Sequence, residues 1–408
     1  MKYVIIHGDG MADWPCDELG GKTPLEAAHK PNMDLIASRG ELGLVATIPE
    51  GMPAGSDVGT MTMLGYDPAR YHTGRAPIEA ASQGIALAPD DVVFRMNLVS
   101  LAPGDGGTTL MNDFTSGHIT SEEAAEIVDD IRRELARDGI EFFNGVSYRH
   151  LMVWRNGITG TKLTPPHDIT GQPVAPHLPQ GEGADRLSMI MRRATEILRE
   201  HPVNQARREA GKTMASAVWF WGQGKRPAVP TLKDRFGVEG SVISAVDLVN
   251  GLGRLADLDV ITVPGATGFL DTDYAAKARY GLDSLKRRDF LLLHIEAPDE
   301  AGHMGRSDFK VEAIERIDEL IVGPMLAELP SFGEWALLLM PDHATPSILK
   351  THSNEAVPFA ILKGGKPALK GAESTRRYTE AEGGRTGLVL KQGYRLIESL
   401  FGKELASN

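Results

Sequence analysis

Three stretches of this chain share one plan, and that plan constrains the fold more than any other feature. KYVIIH (residues 2–7) runs directly into Gly8-Asp9-Gly10, DFLLLHIE (289–296) into Ala-Pro-Asp299, and WALLLM (335–340) into Pro341-Asp342-His343. Near-continuous apolar runs of this kind suit strands buried on both faces, which means a parallel sheet between helices. Sites in such sheets gather beyond the carboxyl ends of the strands. One aspartate after a strand is usually a turn or a helix cap. Aspartates at the same position after all of these strands predict a shared site.

Helical patterns alternate with the strands. Residues 121–137 begin with Ser121 and an acidic first turn, as helix N-termini prefer. Residues 184–200 and 310–328 carry apolar residues at three- and four-residue spacing, and 387–401 (GLVLKQGYRLIESLF) reads as a closing helix. From about 112 to 250 the pattern changes, with a polar, Pro-rich loop (TPPHDITGQPVAPHLPQGEG, 164–183) between helices. The expectation is an α/β chain with one core built from 1–111 and 251–408, interrupted by an inserted smaller domain over 112–250.

Charge and composition narrow the function classes. The net charge of −12, from 43 basic and 55 acidic residues, disfavours a nucleic-acid partner, because phosphate backbones need basic surface. A small anionic substrate stays compatible, since local metals or arginines outweigh a global field at short range. No apolar run reaches the roughly 18 residues of a transmembrane helix, so no membrane partner is expected. MKYVIIHGDG turns polar too soon for a signal peptide, and the single Cys16 excludes an intrachain disulfide. A cytoplasmic location is the expectation.

The polar residues after the strands form a mixed ligand set. Asp299 and His303 have D-x-x-x-H spacing, Asp342 and His343 are adjacent, His352 follows in KTHSNEAVPF, and Asp9 closes the first strand. Carboxylates with imidazoles suit Zn²⁺, Mn²⁺ or a similar divalent ion. A nucleophile is offered by GMPAGSDVGTMTMLGY (51–66), where Ser56 stands at the start of a helical pattern. A helix N-terminus favours a phosphate. A serine hydroxyl there needs a base or a metal to become reactive, and without one Ser56 would merely cap the helix.

The segments HGDGMAD, PAGSDVGTMTMLGYDP, TGRAPIEAAS, SYRHL, PPHDITG, APDEAGHMG and MPDHATP, in this order, resemble the cofactor-independent phosphoglycerate mutases of the archaeal type, members of the alkaline-phosphatase-like metalloenzymes. The resemblance covers nearly the whole chain. It implies an alkaline-phosphatase-like core sheet between helices with an inserted α/β domain. It implies two divalent ions, Mn²⁺ or Zn²⁺ first and Mg²⁺ or Co²⁺ as alternatives. Asp9, Ser56, Asp342 and His343 would surround one ion, and Asp299, His303 and His352 the other. Ser56 would take the phosphate of 3-phosphoglycerate as a phosphoserine and return it to the 2-hydroxyl of the reoriented glycerate.

The inserted domain would then hold the glycerate end and exclude water, because a leak turns a mutase into a phosphatase. Candidates are Asp113 and His118 in NDFTSGHIT, and Arg149 and His150 in SYRHL; Arg75, Lys225, Arg226 and Lys277 are weaker, each equally readable as a surface charge or cap. His167 and Asp168 could instead orient the Pro-rich loop. One departure stands out at SAVWFWGQGKRP (216–227): the archaeal type is expected to be aliphatic here with an arginine before the turn, whereas Trp221 occupies that place unless Arg226 compensates. This points toward a bacterial branch for which homoserine kinase activity has been proposed, although no Walker-type phosphate loop is present. A phosphomonoesterase, a mutase for another sugar phosphate and a silent metabolite-binding regulator are the other readings. The retained nucleophile and ligands weigh against the last.

Overall fold

The computed structural model describes residues 1–365 and 375–404. Its strands, in chain order, are β1 (Lys2–Gly8), β2 (Glu41–Val45), β3 (Val92–Pro103), β4 (Thr109–Asp113), β5 (Ile140–Phe143), β6 (Arg149–Trp154), β7 (Ala217–Lys225), β8 (Gly240–Ile243), β9 (Asp259–Val260), β10 (Phe290–Ile295), β11 (Trp335–Met340), β12 (Val357–Gly364) and β13 (Val389–Leu390). The chain folds as two units, Met1–His72 with Ala228–Asn408, and Thr73–Pro227.

The first unit is built on one sheet in the order β13-β2-β12-β11-β1-β10-β8-β9. β1 is parallel to both β10 and β11, and His7 pairs with His294 on one side and Met340 on the other. That register is what brings Asp9, Glu296 and Asp342 to one edge of the sheet. Val4, Ile6, Leu291, Leu293, Leu337 and Leu339 pack with Met33, Ile36, Ile314 and Ile317 from helices Pro31–Arg39 and Ser307–Ile317. On the other face Ile5, Leu292 and Leu338 are equally buried, as a parallel sheet requires. Truncating one of these leucines to alanine would cost about 2–5 kcal/mol, transfer and cavity terms together.

The second unit is an antiparallel sheet in the order β4-β3-β6-β5, with β7 also paired to β3. Helices Ser121–Leu135 and Ala184–Arg199 cover one face, where Ile127, Ile131, Leu187 and Ile190 meet Phe94, Met96 and Leu98. On the other face Ala76 and Ala80 of helix Ala76–Ser82 meet Val93, Leu151 and Val153.

An inserted α/β unit is therefore present, but its limits are 73 and 227 rather than 112 and 250. β3 is the central strand of the inserted sheet, and β8 pairs with β10 in the core. The closing helix over 387–401 is also corrected. Val389 and Leu390 pair with β2 as an edge strand, a short 3₁₀ turn covers Gly393–Arg395, and only Leu396–Leu400 is α-helical. Edge pairing overrides the periodicity there, and a Cβ at Gly393 would meet Ala46 O at 2.2 Å. The helical pattern over 310–328 is split by a π-helical turn at Asp318–Val322, where the Asp318 carboxylate accepts from Met33 N at 2.6 Å.

Candidate metal centre and nucleophile

Asp9, Asp299 and Asp342 are buried to within a few per cent, although each is a carboxylate. Backbone close approach permits this crowding. Gly10 takes φ +57°, and a Cβ there would lie 2.6 Å from Asp299 Oδ1. Across the site the helix Ser56–Met63 presses on the Asp342 loop at Gly59, where a Cβ would meet Asp342 O at 2.6 Å.

Nitrogen and oxygen donors converge in this space. Ser56 Oγ lies 3.2 Å from His343 Nε2, which lies 3.6 Å from Asp9 Oδ1 and 3.3 Å from Asp342 Oδ2. His303 Nε2 and His352 Nε2 are 2.9 Å apart, at 3.2 and 3.4 Å from the two oxygens of Asp299. Two sets, Asp9-Asp342-His343 and Asp299-His343-His352, each place ligand atoms within 4.8 Å of one another. Asp9 Oδ1 and Asp342 Oδ2 are buried without a hydrogen-bond partner. Orphaned carboxylate oxygens among imidazoles fit a divalent cation.

The electrostatics agree. Burial, then the charges of Asp342, Glu296 and Asp299, push the Asp9 carboxyl well above its ordinary pKa. Burial works the same way on Asp299, but hydrogen bonds from His303 and His352 outweigh it and hold that carboxyl low. Asp299 in turn raises His303 to about 9. Burial keeps His343 below its usual value, the neutral form in which an imidazole can ligate.

Two histidines in the strand interiors escape the sequence reading. His7 and His294 are fully buried, paired across β1 and β10, with ring centroids 4.6 Å apart. His294 Nε2 is 2.9 Å from Asp9 Oδ2, and His7 Nε2 is 3.1 Å from Asp342 Oδ1. A histidine just before the acidic ends of β1 and β10 was the available signal. Lys310 was also missed: its buried Nζ donates to Gly10 O at 3.0 Å and Thr345 O at 2.6 Å and pairs with Asp13 at 2.8 Å. It thereby ties the loop after β1 to the loop after β11.

The other candidates scatter. Lys277 belongs to the core unit, where its buried Nζ donates to His294 O at 3.1 Å. Within the inserted unit, His150 is buried and accepts from Gly145 N at 3.1 Å, with burial lowering its pKa to about 3. Asp113 is occupied by Thr115 and Gly117, and Lys225 by Asp90. Arg226, His118, Arg149, His167 and Asp168 are exposed, and Arg75 lies 3.7 Å from Glu79. Tyr148 is near both Arg149 and His118, and His167 stands edge-on to Trp221 at 5.1 Å. Among the described residues no helix is long and apolar enough to cross a membrane.

Comparison with known proteins gives the same family from several directions. A family model described as 2,3-bisphosphoglycerate-independent phosphoglycerate mutase matches residues 37–204. Proteins of that name from Methanothrix thermoacetophila and Methanosarcina barkeri are 49% and 47% identical to this chain. The matches cover 98% and 95% of it, and 99% and 97% of the relatives. A solved protein of Pyrococcus horikoshii superposes with TM-score 0.83 at 30% identity, covering 99% of both chains. The cofactor-independent phosphoglycerate mutase of Thermoplasma acidophilum gives 0.67 at 25% identity, covering 98% of this chain and 99% of its own. This chain belongs to the 2,3-bisphosphoglycerate-independent phosphoglycerate mutase family.

Proposed function

We propose that this chain interconverts 3-phosphoglycerate and 2-phosphoglycerate through a phosphoserine at Ser56, with no 2,3-bisphosphoglycerate primer. The observation that carries the reading is Ser56 Oγ at the first turn of its helix, 3.2 Å from His343 in a cluster of buried carboxylates and imidazoles. Asp9, Ser56, Asp342 and His343 would hold one divalent ion, and Asp299, His303 and His352 the other. Mn²⁺ or Zn²⁺ suits these donors first, with Mg²⁺ or Co²⁺ as alternatives. Such ions supply charge stabilisation to the attacking and leaving oxygens of phosphoryl transfer.

The chain's own groups do the rest. Ser56 Oγ accepts the phosphoryl group from the 3-oxygen and later gives it to the 2-hydroxyl. The helix N-terminus behind it favours the phosphate charge.

A coupled assay on metal-loaded protein with 3-phosphoglycerate and no bisphosphoglycerate tests the proposal, alongside a tube of homoserine and ATP. Formation of 2-phosphoglycerate, lost on chelation and restored by metal, is expected. Ser56→Ala should keep fold and metals while turnover disappears. Phosphohomoserine, or release of free phosphate alone, would overturn the substrate assignment.

A further inference from the structure

One hydroxyl lies between the two ligand sets of the core unit. Thr345 follows His343 by two residues in the loop after β11 and is fully buried. Its Oγ1 donates to Asp299 Oδ1, and the same oxygen is 3.2 Å from His343 Nδ1. Asp299 stands with His303 and His352, whereas His343 stands with Ser56, Asp9 and Asp342.

The backbone around Thr345 leaves it one position. Its N donates to Ala12 O at 3.2 Å, and its O accepts from Lys310 Nζ at 2.6 Å. A Cβ at Gly10 would lie 2.5 Å from Thr345 Oγ1, and one at Gly302 would lie 2.5 Å from Thr345 O. Proton bookkeeping then decides the roles. A hydroxyl has one proton to give, and a carboxylate can only accept. With that proton on the Asp299 side, Oγ1 turns lone pairs to His343, so Nδ1 carries the ring proton. In a neutral imidazole this leaves Nε2 with its lone pair. Nε2 is the nitrogen 3.2 Å from Ser56 Oγ and 3.3 Å from Asp342 Oδ2.

We infer that Thr345 is a positioning residue shared by both ion sites: its hydroxyl orients Asp299 for one ion and fixes the His343 tautomer that turns Nε2 toward the other. The inference rests on the proposed two-ion reading, but not on which substrate is turned over. A ligating histidine is commonly held through its other ring N–H, and the partner sets both tautomer and orientation. Here the partner is a hydroxyl already polarised by a carboxylate of the neighbouring set, and hydrogen bonds in such a chain strengthen one another. Replacing Thr345 by valine keeps the branched shape but leaves His343 Nδ1–H facing a methyl group. Both ions should feel the loss, which sets Thr345 apart from a residue that serves one ligand set.

The test is a chelator-competition titration of zinc-loaded full-length protein, with the imidazole nitrogen signals read by NMR after labelling histidine with ¹⁵N. The His343 signal is identified by its loss in His343→Gln. Wild type should show zinc on Nε2 and a slowly exchanging proton on Nδ1. Thr345→Val should lose that slow exchange and weaken both ions by about 10–100-fold, the usual size of a lost ligand partner. Thr345→Ser, which keeps the hydroxyl, should stay within a few-fold of wild type. Zinc on Nδ1 of wild-type His343 would overturn the inference even if Thr345→Val fails to fold. Unchanged affinity in Thr345→Val, or a loss confined to one ion, would overturn the shared role. Equal losses in the serine and valine variants would assign Thr345 to packing instead. Wild type that binds no zinc would overturn the two-ion reading together with this inference, whereas two bound ions with the expected tautomer in a protein that fails the mutase assay would keep the inference and remove the reaction.

Discussion

His294 Nε2 lies 2.9 Å from Asp9 Oδ2, while its other ring nitrogen, Nδ1, lies 2.8 Å from Ser244 Oγ. With the Ser244 hydroxyl donating to Nδ1, the ring carries its proton on Nε2 and donates it to Asp9. A partner of this kind orients a ligating carboxylate, and its loss typically costs about 10–100-fold in metal affinity. His294→Ala should therefore weaken metal binding by that order. His294→Gln, whose amide nitrogen reaches the same place, should recover part of it. A chelator-competition titration reads both, and unchanged affinity in the alanine variant would remove His294 from this role.

The two ligand sets share a cluster but should be separable by stoichiometry. Asp299 and His352 lie together, within 3.4 Å, and Asp299 also meets His303. Asp299→Ala or His352→Ala should lower the bound metal toward one ion per chain, measured by elemental analysis after dialysis. Two tightly held ions in both variants would contradict the assignment of these residues to a separate ion.

Lys310 makes a prediction about stability. Its ammonium and the Asp13 carboxylate are both buried and 2.8 Å apart, and Asp13 also accepts from Ser347 N and Oγ. Removing one partner of a buried pair leaves the other charge uncompensated, at about 3–5 kcal/mol. Lys310→Met should lose that much in urea unfolding and bind metal less well, because Gly10 and Thr345 lose their common donor. A variant of wild-type stability would show that the loops are held by other contacts.

Much of this site was legible because parallel strands carry their ends to one edge. Asp9, Asp299 and Asp342 could be grouped without knowing which strands were neighbours. Strand pairing itself is non-local, and what depended on it was hidden. His7 and His294 read as interruptions of apolar runs until the β1–β10 register set them side by side. The β3 segment VVFRMNLVSLAP fell inside 1–111 and so on the wrong side of the domain limit, which was drawn where the polar, Pro-rich pattern begins.

Lys277 gives a pH dependence whose sign can be worked out. Its ammonium is fully buried, and burial lowers its pKa from 10.5 to about 8 against the pull of Glu296. Between those values the unfolded chain holds the proton more tightly than the folded one, so stability rises with pH through this window. Below about 8 the folded protein carries the full cost of the buried charge, on the order of 3 kcal/mol from a shift of this size. Lys277→Met removes that titration. The stability of wild type relative to the variant should therefore climb between pH 8 and 10.5 in parallel urea titrations. A difference that stays flat across the window would mean that Lys277 keeps its proton in the folded protein, held by Glu296 and the His294 carbonyl.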